Sequence, residues 1–86
     1  MEPYKIIKYP LSTEKSIRMM ESENKLMFVV EKKAKKGDVK KAIEEMFKAK
    51  VESVNTFVGN DGKKRAYVKF SSETPAIEIA TQLGLM

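Results

Sequence analysis

The sequence contains no cysteine, no histidine and no tryptophan. Without cysteine the chain has no disulfide bond and no thiol nucleophile, and without histidine it lacks the commonest general base and the usual ligands of structural zinc. No paired carboxylates, serine-based triad or glycine-rich phosphate loop stand out in their place. The sequence therefore predicts a protein that is not an enzyme and that holds no metal or cofactor.

Long hydrophobic runs are missing as well. No stretch approaches the roughly 20 apolar residues of a membrane span, and the opening MEPYK lacks the hydrophobic region of a signal peptide. A chain of 86 residues can bury one modest core. We therefore expect a single domain over residues 1–86 that is cytoplasmic and is not inserted in a membrane.

Charge, in contrast, is abundant and unevenly distributed. The net charge is +5, but residues 73–86 contain two acids and no base, so residues 1–72 carry +7. Fifteen of the 17 basic residues are lysine. Lysine favours point-charge contacts with phosphates over bidentate recognition of guanine edges. The composition thus indicates binding to a nucleic-acid backbone.

Hydrophobic periodicity predicts the order helix, strand, helix, strand, strand, helix. Residues 3–11 before them are expected to be extended, because each proline disfavours helix in the residue that precedes it. The first predicted elements are a helix capped by Ser12-Thr13 and ending near Glu21, a buried strand at Lys25–Glu31 and a helix N-capped by Asp38. Strands at Val51–Val58 and Arg65–Phe70 follow, joined by a hairpin at Gly59–Lys64, and a last helix is begun by Thr74-Pro75 and stopped at Gly84.

These elements predict an α+β fold of the split βαβ, ferredoxin-like type. A right-handed crossover and the hairpin place the third predicted strand between the other two, in a three-stranded sheet of antiparallel type with helices on one face. On the second strand, Val54, Thr56 and Val58 are expected on one face, and Val51, Asn55 and Phe57 on the other.

The segment KKAKKGDVKK, residues 32–41, contains six lysines and one acid. On the predicted helix, ion pairs are expected at i, i+4 between Lys40 and Glu44, Lys41 and Glu45, and Glu44 and Lys48. The remaining lysines, Lys32, Lys33, Lys35 and Lys36, have only Glu31 and Asp38 nearby. Such crowding is unfavourable unless a polyanion neutralises it. The alternative is an ordinary solvated surface.

The third strand offers a second candidate contact, Tyr67 between Arg65 and Lys69. The ring can stack on an unpaired base while the cations hold flanking phosphates, or it can simply cover the sheet. Lys63 and Lys64 extend the basic surface at the hairpin. The polar pair Asn55-Thr56 can bond either an RNA backbone or a loop of the protein itself.

Two other classes of function compete with RNA binding. The first is a protein-interaction module that uses its helix faces, for example at Met19-Met20, and binds no RNA. The second is a phosphate-transferring enzyme that depends on Arg18 or Arg65. Acylphosphatases share the predicted topology, but their glycine-rich anion loop ending in arginine is missing here.

Three motifs together resemble the ribosomal protein L23 family of the large subunit. They are YPLSTEKS at residues 9–16, KKAKKGDVKKAIEEMFKAKVESVNT at residues 32–56 and KKRAYVKF at residues 63–70. The resemblance implies a ribosomal protein that binds large-subunit ribosomal RNA near the polypeptide exit tunnel. It also implies contacts with neighbouring ribosomal proteins and a docking site for signal recognition particle, translocon or nascent-chain factors.

The resemblance also assigns roles to individual residues. It implies factor docking at Glu14 and RNA contacts, in addition to those expected at Lys32 and Arg65, at Thr13, Lys15, Lys33, Lys35, Lys36, Lys40, Asn55, Thr56, Lys63, Lys64 and Tyr67. Two positions depart from the family pattern. Lys35 stands where the family often has asparagine, and the hairpin GNDGKK is short, as in the archaeal form, so it cannot reach into the tunnel.

Overall fold

A computed structural model describes residues 3–11 and 13–84 of the chain. Its elements are α1 (Pro3–Ile6), β1 (Ile7–Pro10), α2 (Glu14–Glu23), β2 (Lys25–Val30), α3 (Lys36–Phe47), β3 (Val51–Val58), β4 (Lys64–Phe70) and α4 (Ala76–Gln82). The strands form one antiparallel sheet in the order β1-β2-β4-β3. β4 therefore lies between β2 and β3, which the crossover helix α3 connects, and the α+β prediction is confirmed.

Within the described residues the sheet has four strands, whereas the sequence predicts three. The additional strand is β1, in which Ile7 pairs with Val30 and Pro10 with Phe28. Proline has no backbone N–H to donate. Pro10 is tolerated because one side of an edge strand has no neighbouring strand with which to form hydrogen bonds. The expectation of an extended segment over residues 3–11 is wrong for α1, which forms one helical turn. Proline at the first helical position loses no hydrogen bond there.

The helices lie on one face of the sheet, as predicted. Alternate residues of β2 and β4 point into the core, and Phe28 and Phe70 are almost fully buried. These strands and one side of the helices contribute the core residues Met20, Leu26, Phe28, Val30, Val39, Ala42, Ile43, Ala66, Val68, Phe70, Ala76, Ile79 and Ala80. We call the opposite side the open face; its residues on β3 and β4 are Ser53, Asn55, Phe57, Arg65, Tyr67 and Lys69.

Val51 belongs to the core and not to the open face, contrary to the sequence prediction. The register of β3 against β4 shifts between Val51, which is opposite Phe70, and Ser53, which is opposite Lys69. Such an irregularity moves the preceding residue to the other face of the strand. Val51 is consequently only 7% exposed.

The start of α2 follows the sequence prediction. The Thr13 Oγ1 accepts a hydrogen bond from the Ser16 backbone N–H at 3.1 Å, and the Ser16 Oγ accepts one from the Thr13 N–H at 2.8 Å. This reciprocal pair satisfies two backbone donors of the helix start. Ser12, the other predicted cap, lies outside the described residues. The helix ends at Glu23 instead of Glu21, because Asn24 in the left-handed region stops it.

Asp38 is not the N-cap of α3. The helix begins earlier, at Lys36, and Lys35 occupies the cap position. The Asp38 Oδ2 instead accepts a hydrogen bond from the Lys35 backbone N–H at 3.1 Å. A carboxylate in the first turn still stabilises α3 by interacting with the helix dipole. The acid therefore indicates a helix start in this region, but not the residue at which the helix begins.

Thr74 does not cap α4 either. Its hydroxyl accepts a hydrogen bond from the Lys50 N–H at 3.1 Å. The first N–H of α4, that of Ala76, donates instead to the Asn24 Oδ1 at 2.6 Å. A side chain from the end of α2 therefore caps a helix 52 positions away, a contact that no local motif reveals.

None of the helices in residues 3–11 and 13–84 is long and apolar enough to cross a bilayer. Among the same residues, no three acidic side chains lie close enough together to hold a metal ion.

Candidate nucleic-acid interface

The lysine-rich segment and the β3–β4 hairpin meet at one end of the sheet. Val30 ends β2 and pairs with Lys64, the first residue of β4. The Lys64 Nζ donates to the Ala34 carbonyl at 2.6 Å and to the Lys32 carbonyl at 3.4 Å. We call this end of the sheet the basic rim. It brings together the predicted RNA-binding residues Lys32, Lys33, Lys35, Lys36, Lys63 and Lys64.

The lysines of the loop between β2 and α3 carry uncompensated charge. Their side chains are exposed, and the ion pairs within 4.0 Å found in the described part of the chain involve other lysines and arginines. Of the nearby acids, Glu31 lies 3.8 Å from Lys8, and Asp38 bonds the backbone N–H of Lys35. The positive potential of this loop is therefore directed to solvent.

The helical ion pairs predicted on α3 are wrong. Within residues 13–84, none of the three pairs Lys40–Glu44, Lys41–Glu45 and Glu44–Lys48 is among the contacts shorter than 4.0 Å. Exposed pairs of this kind gain little, because solvent weakens the attraction and fixing two long side chains costs entropy. Lys40, exposed near the start of α3, therefore adds to the positive charge of this end.

Lys64 has a structural role that the sequence did not indicate. We expect Lys64→Met to lower the free energy of unfolding by about 1–2 kcal/mol, because the buried Ala34 carbonyl loses a charged donor. Urea denaturation followed by circular dichroism measures this difference. Lys33→Met is the matched control, since it removes the same charge from an exposed position in the loop that Lys64 bonds. Equal stability of the two variants would contradict the role of Lys64.

On the open face, the Tyr67 ring is already in contact with neighbours. It stacks on Phe57 with ring centroids 5.1 Å apart and an interplanar angle of 21°. The Lys15 Nζ lies 6.0 Å from the Tyr67 centroid, which places a second predicted residue here. The structure thus favours the alternative in which Tyr67 covers the sheet, while Phe57, which is 37% exposed, presents its ring to solvent.

The Arg65 side chain forms an ion pair within the β3–β4 hairpin. Its Nη2 lies 3.0 Å from the Asp61 Oδ2, and its Nε is buried without a hydrogen-bond partner in the described part of the chain. The backbone N–H of Lys63, together with the Arg65 guanidinium, holds the pKa of Asp61 below its ordinary value of 3.8. Asp61 is therefore charged at neutral pH and offsets much of the Arg65 charge.

The other predicted site residues lie apart from one another. Asn55 is exposed on the open face, whereas Thr56 points to the helix side, because neighbouring residues of a strand face opposite ways. The Thr13 hydroxyl is engaged in the cap of α2. Glu14 is 81% exposed at the start of α2, where it lies 2.7 Å from the Arg18 guanidinium.

Two aromatic residues of this region were missed by the sequence analysis. Phe57 could have been found, since it shares a strand face with Asn55 and lies opposite Arg65. Tyr9 could not have been found in this way, because its environment depends on the pairing of β1 with β2. Its hydroxyl accepts a hydrogen bond from the Lys63 Nζ at 3.2 Å, and the same ammonium lies 5.9 Å from its ring centroid.

Comparisons with known proteins cover almost the whole chain. The family model of ribosomal protein L23 matches residues 5–81. Over 85 residues the chain is 44% identical to large ribosomal subunit protein uL23 of Methanococcus aeolicus, which covers 99% of each sequence. Proteins of the same name from Methanococcus maripaludis and Methanococcus vannielii are similar to the same extent, with 44% identity over 85 residues.

Proposed function

Because the chain belongs to the ribosomal protein L23 family, we propose that it binds large-subunit ribosomal RNA through the basic rim as a structural component of the large ribosomal subunit. The observation that supports this most is a group of exposed lysines in the β2–α3 loop and at the first position of α3. These residues, Lys32, Lys33, Lys35 and Lys36, have no carboxylate partner within 4.0 Å in the described part of the chain. Phosphates relieve the repulsion between these ammonium groups, and the release of counterions from RNA favours the complex.

Membership of this family also confirms two predictions made from the sequence. The chain is a ribosomal protein and not an enzyme. Its similarity to archaeal relatives over 99% of their length fits the short form of the family. In agreement, residues 59–63 are all that separates β3 from β4.

The proposed RNA contacts are made mainly to the backbone. Compact ammonium groups on a rigid sheet end neutralise phosphates, which fixes position without reading base sequence. Asn55 on the open face, the Lys15 ammonium of α2 near the Tyr67 ring, and Lys40 on α3 would extend the contact beyond the basic rim. Lys64 and Arg65 would contribute less directly, since their cationic groups bond Ala34 and Asp61.

The proposal includes a position near the polypeptide exit tunnel, next to other ribosomal proteins. There, Glu14 would form part of a docking surface for signal recognition particle, translocon or nascent-chain factors. Its support is the exposure of Glu14 at the start of α2, together with the family resemblance.

Binding to purified ribosomal RNA tests the RNA contact directly. The labelled protein is titrated with refolded large-subunit RNA of Methanococcus maripaludis, with small-subunit RNA of the same organism as the control. We expect preference for the large-subunit RNA. If about five phosphates are neutralised on an RNA helix, log affinity falls against log salt with a slope on the order of −4 to −5.

Two results would contradict this function. Equal affinity for both RNAs would reduce the interaction to nonspecific charge attraction. No binding to either RNA, with the protein folded, would favour the protein-interaction module instead. Sedimentation of the tagged protein from a lysate in moderate salt provides the cellular counterpart, for which we expect comigration with large subunits.

A further inference from the structure

A small cavity opens at the basic rim, between β1, the end of β2 and the start of β4. Its volume is about 210 Å³. The strand residues Val29 and Val30, both almost fully buried, line it together with the aromatic residue Tyr9 and the lysines Lys32 and Lys63. The combination of an aromatic wall with cations is the one that proteins use to hold a base and its phosphate.

The charge of the cavity is unbalanced. Glu31 is its acidic residue, and the Glu31 carboxylate lies 3.8 Å from the Lys8 Nζ. Neither Lys32 nor Lys63 has a carboxylate within 4.0 Å among residues 3–11 and 13–84. The Lys63 ammonium instead donates to the Tyr9 hydroxyl. An anion entering the cavity therefore meets positive charge beside an aromatic ring.

The dimensions of the cavity restrict what can enter it. Sites for drug-sized ligands typically occupy about 300–1,000 Å³, so this smaller cavity suits a single base better than a drug-sized ligand. A paired base inside a helix cannot reach a concave site, whereas unpaired bases of loops and bulges can leave the stack and contact aromatic side chains.

We propose that this cavity receives one unpaired nucleotide of the bound RNA, with its base against the Tyr9 ring and its phosphate beside Lys32 and Lys63. The inference rests on the proposed RNA-binding function and adds a base-holding subsite to it. Tyr9 is better placed for this role than Tyr67, because Tyr9 is 42% exposed, whereas Tyr67 is stacked on Phe57.

Substitutions of Tyr9 test the subsite in the intact chain, with the large-subunit RNA described above as the probe. Tyr9→Leu is expected to weaken binding about tenfold, in the range found for loss of one stacked base, without changing the salt dependence. Tyr9→Phe keeps the ring and should retain the wild-type affinity. Ile77→Ala changes an exposed apolar side chain on α4, outside the proposed RNA contacts, and is the control that should leave affinity unchanged.

Lys63→Met provides an independent test that does not alter the aromatic ring. It should reduce the steepness of the log affinity against log salt plot by about one, as loss of one phosphate contact predicts. Lys41→Met removes an exposed lysine from α3, outside the cavity, and should leave the slope unchanged. Thermal unfolding of each variant establishes that the fold is retained.

Photo-crosslinking identifies the contact itself. Irradiation of the complex followed by mass spectrometry should find a nucleotide adduct on Tyr9 or on a peptide adjacent to the cavity. Wild-type RNA binding with no effect of Tyr9→Leu or Lys63→Met, and adducts elsewhere, would overturn the subsite but leave the proposed function standing. Absence of RNA binding by the wild-type protein would overturn both.

Discussion

The double variant Lys33→Glu, Lys36→Glu is expected to bind large-subunit ribosomal RNA about a hundredfold more weakly than the wild-type protein. An exposed ion pair at about 4 Å is worth roughly 1 kcal/mol in water. Each reversal replaces attraction by repulsion, so two reversals cost roughly 4 kcal/mol before salt screening. Screening at about 0.1 M salt lowers this to roughly 2–3 kcal/mol, and about 2.7 kcal/mol corresponds to a hundredfold.

The expected loss depends on where the charges are and not only on how many there are. The matched control is Lys41→Glu, Lys48→Glu, which also changes the net charge from +5 to +1. Both control residues are exposed, and Lys48 lies beyond the far end of α3, roughly 18 Å along the helix from Lys36 at 1.5 Å per residue.

Binding by both variants is measured by titration at fixed salt and again across a salt series. The rim variant should lose affinity and show a shallower salt dependence, while the control should lose little of either. Circular dichroism and thermal unfolding verify that both remain folded, which is expected because neither Lys33 nor Lys36 contributes to the core. An equal loss in the two variants would mean that overall charge, and not the basic rim, drives binding.

The fold could be predicted where the sequence pattern is local. α3 repeats apolar residues at helical spacing, and β4 alternates strictly between buried and outward residues. Both elements are therefore predicted, although α3 begins three residues earlier than a cap at Asp38 implies. β1 could not be found in this way. It contributes four residues, and its place in the sheet is decided by pairing with β2 and by burial of Ile6 and Ile7.

The candidate site also has features that the sequence predicts and features that it does not. The run of lysines after β2 was visible as composition, and the hairpin predicted which strand lies in the middle of the sheet, so the meeting of the two at one end follows from topology. The hydrogen bonds that each cation makes there did not follow from the sequence. The backbone carbonyls that bond Lys64 belong to a loop about 30 positions away, and the proximity of Lys63 to Tyr9 spans 54 positions.

Replacement of Asn24 by alanine is expected to lower the free energy of unfolding by about 3 kcal/mol, although the Asn24 side chain is only half-buried. Its Nδ2 donates to the carbonyls of Phe70 and Ser71, each at 3.2 Å, and of Thr74 at 3.1 Å. Its Oδ1 accepts from the Ala76 N–H at 2.6 Å. One amide thus connects the end of α2, the end of β4 and the start of α4.

Two costs add in the alanine variant. The backbone groups that bond the Asn24 amide are partly buried. Leaving one such group without a partner costs roughly 1–3 kcal/mol. Asn24 also has φ of 57°, a left-handed conformation that costs most L-residues roughly 1–2 kcal/mol. Asparagine tolerates this region better than alanine, so the substitution loses on both counts.

Asn24→Gly separates the two contributions. Glycine adopts positive φ without a steric penalty but cannot make any of the side-chain bonds, so we expect it to recover only the conformational part, about 1 kcal/mol. Ser22→Ala serves as the control, since the Ser22 hydroxyl donates to the exposed Arg18 carbonyl of its own helix. Guanidinium denaturation gives all three values, provided that the slope with denaturant is unchanged. If glycine restored full stability, the amide bonds would contribute nothing; if alanine and glycine were equally destabilising, the left-handed conformation would carry no cost and the bonds alone would hold α4 against the sheet.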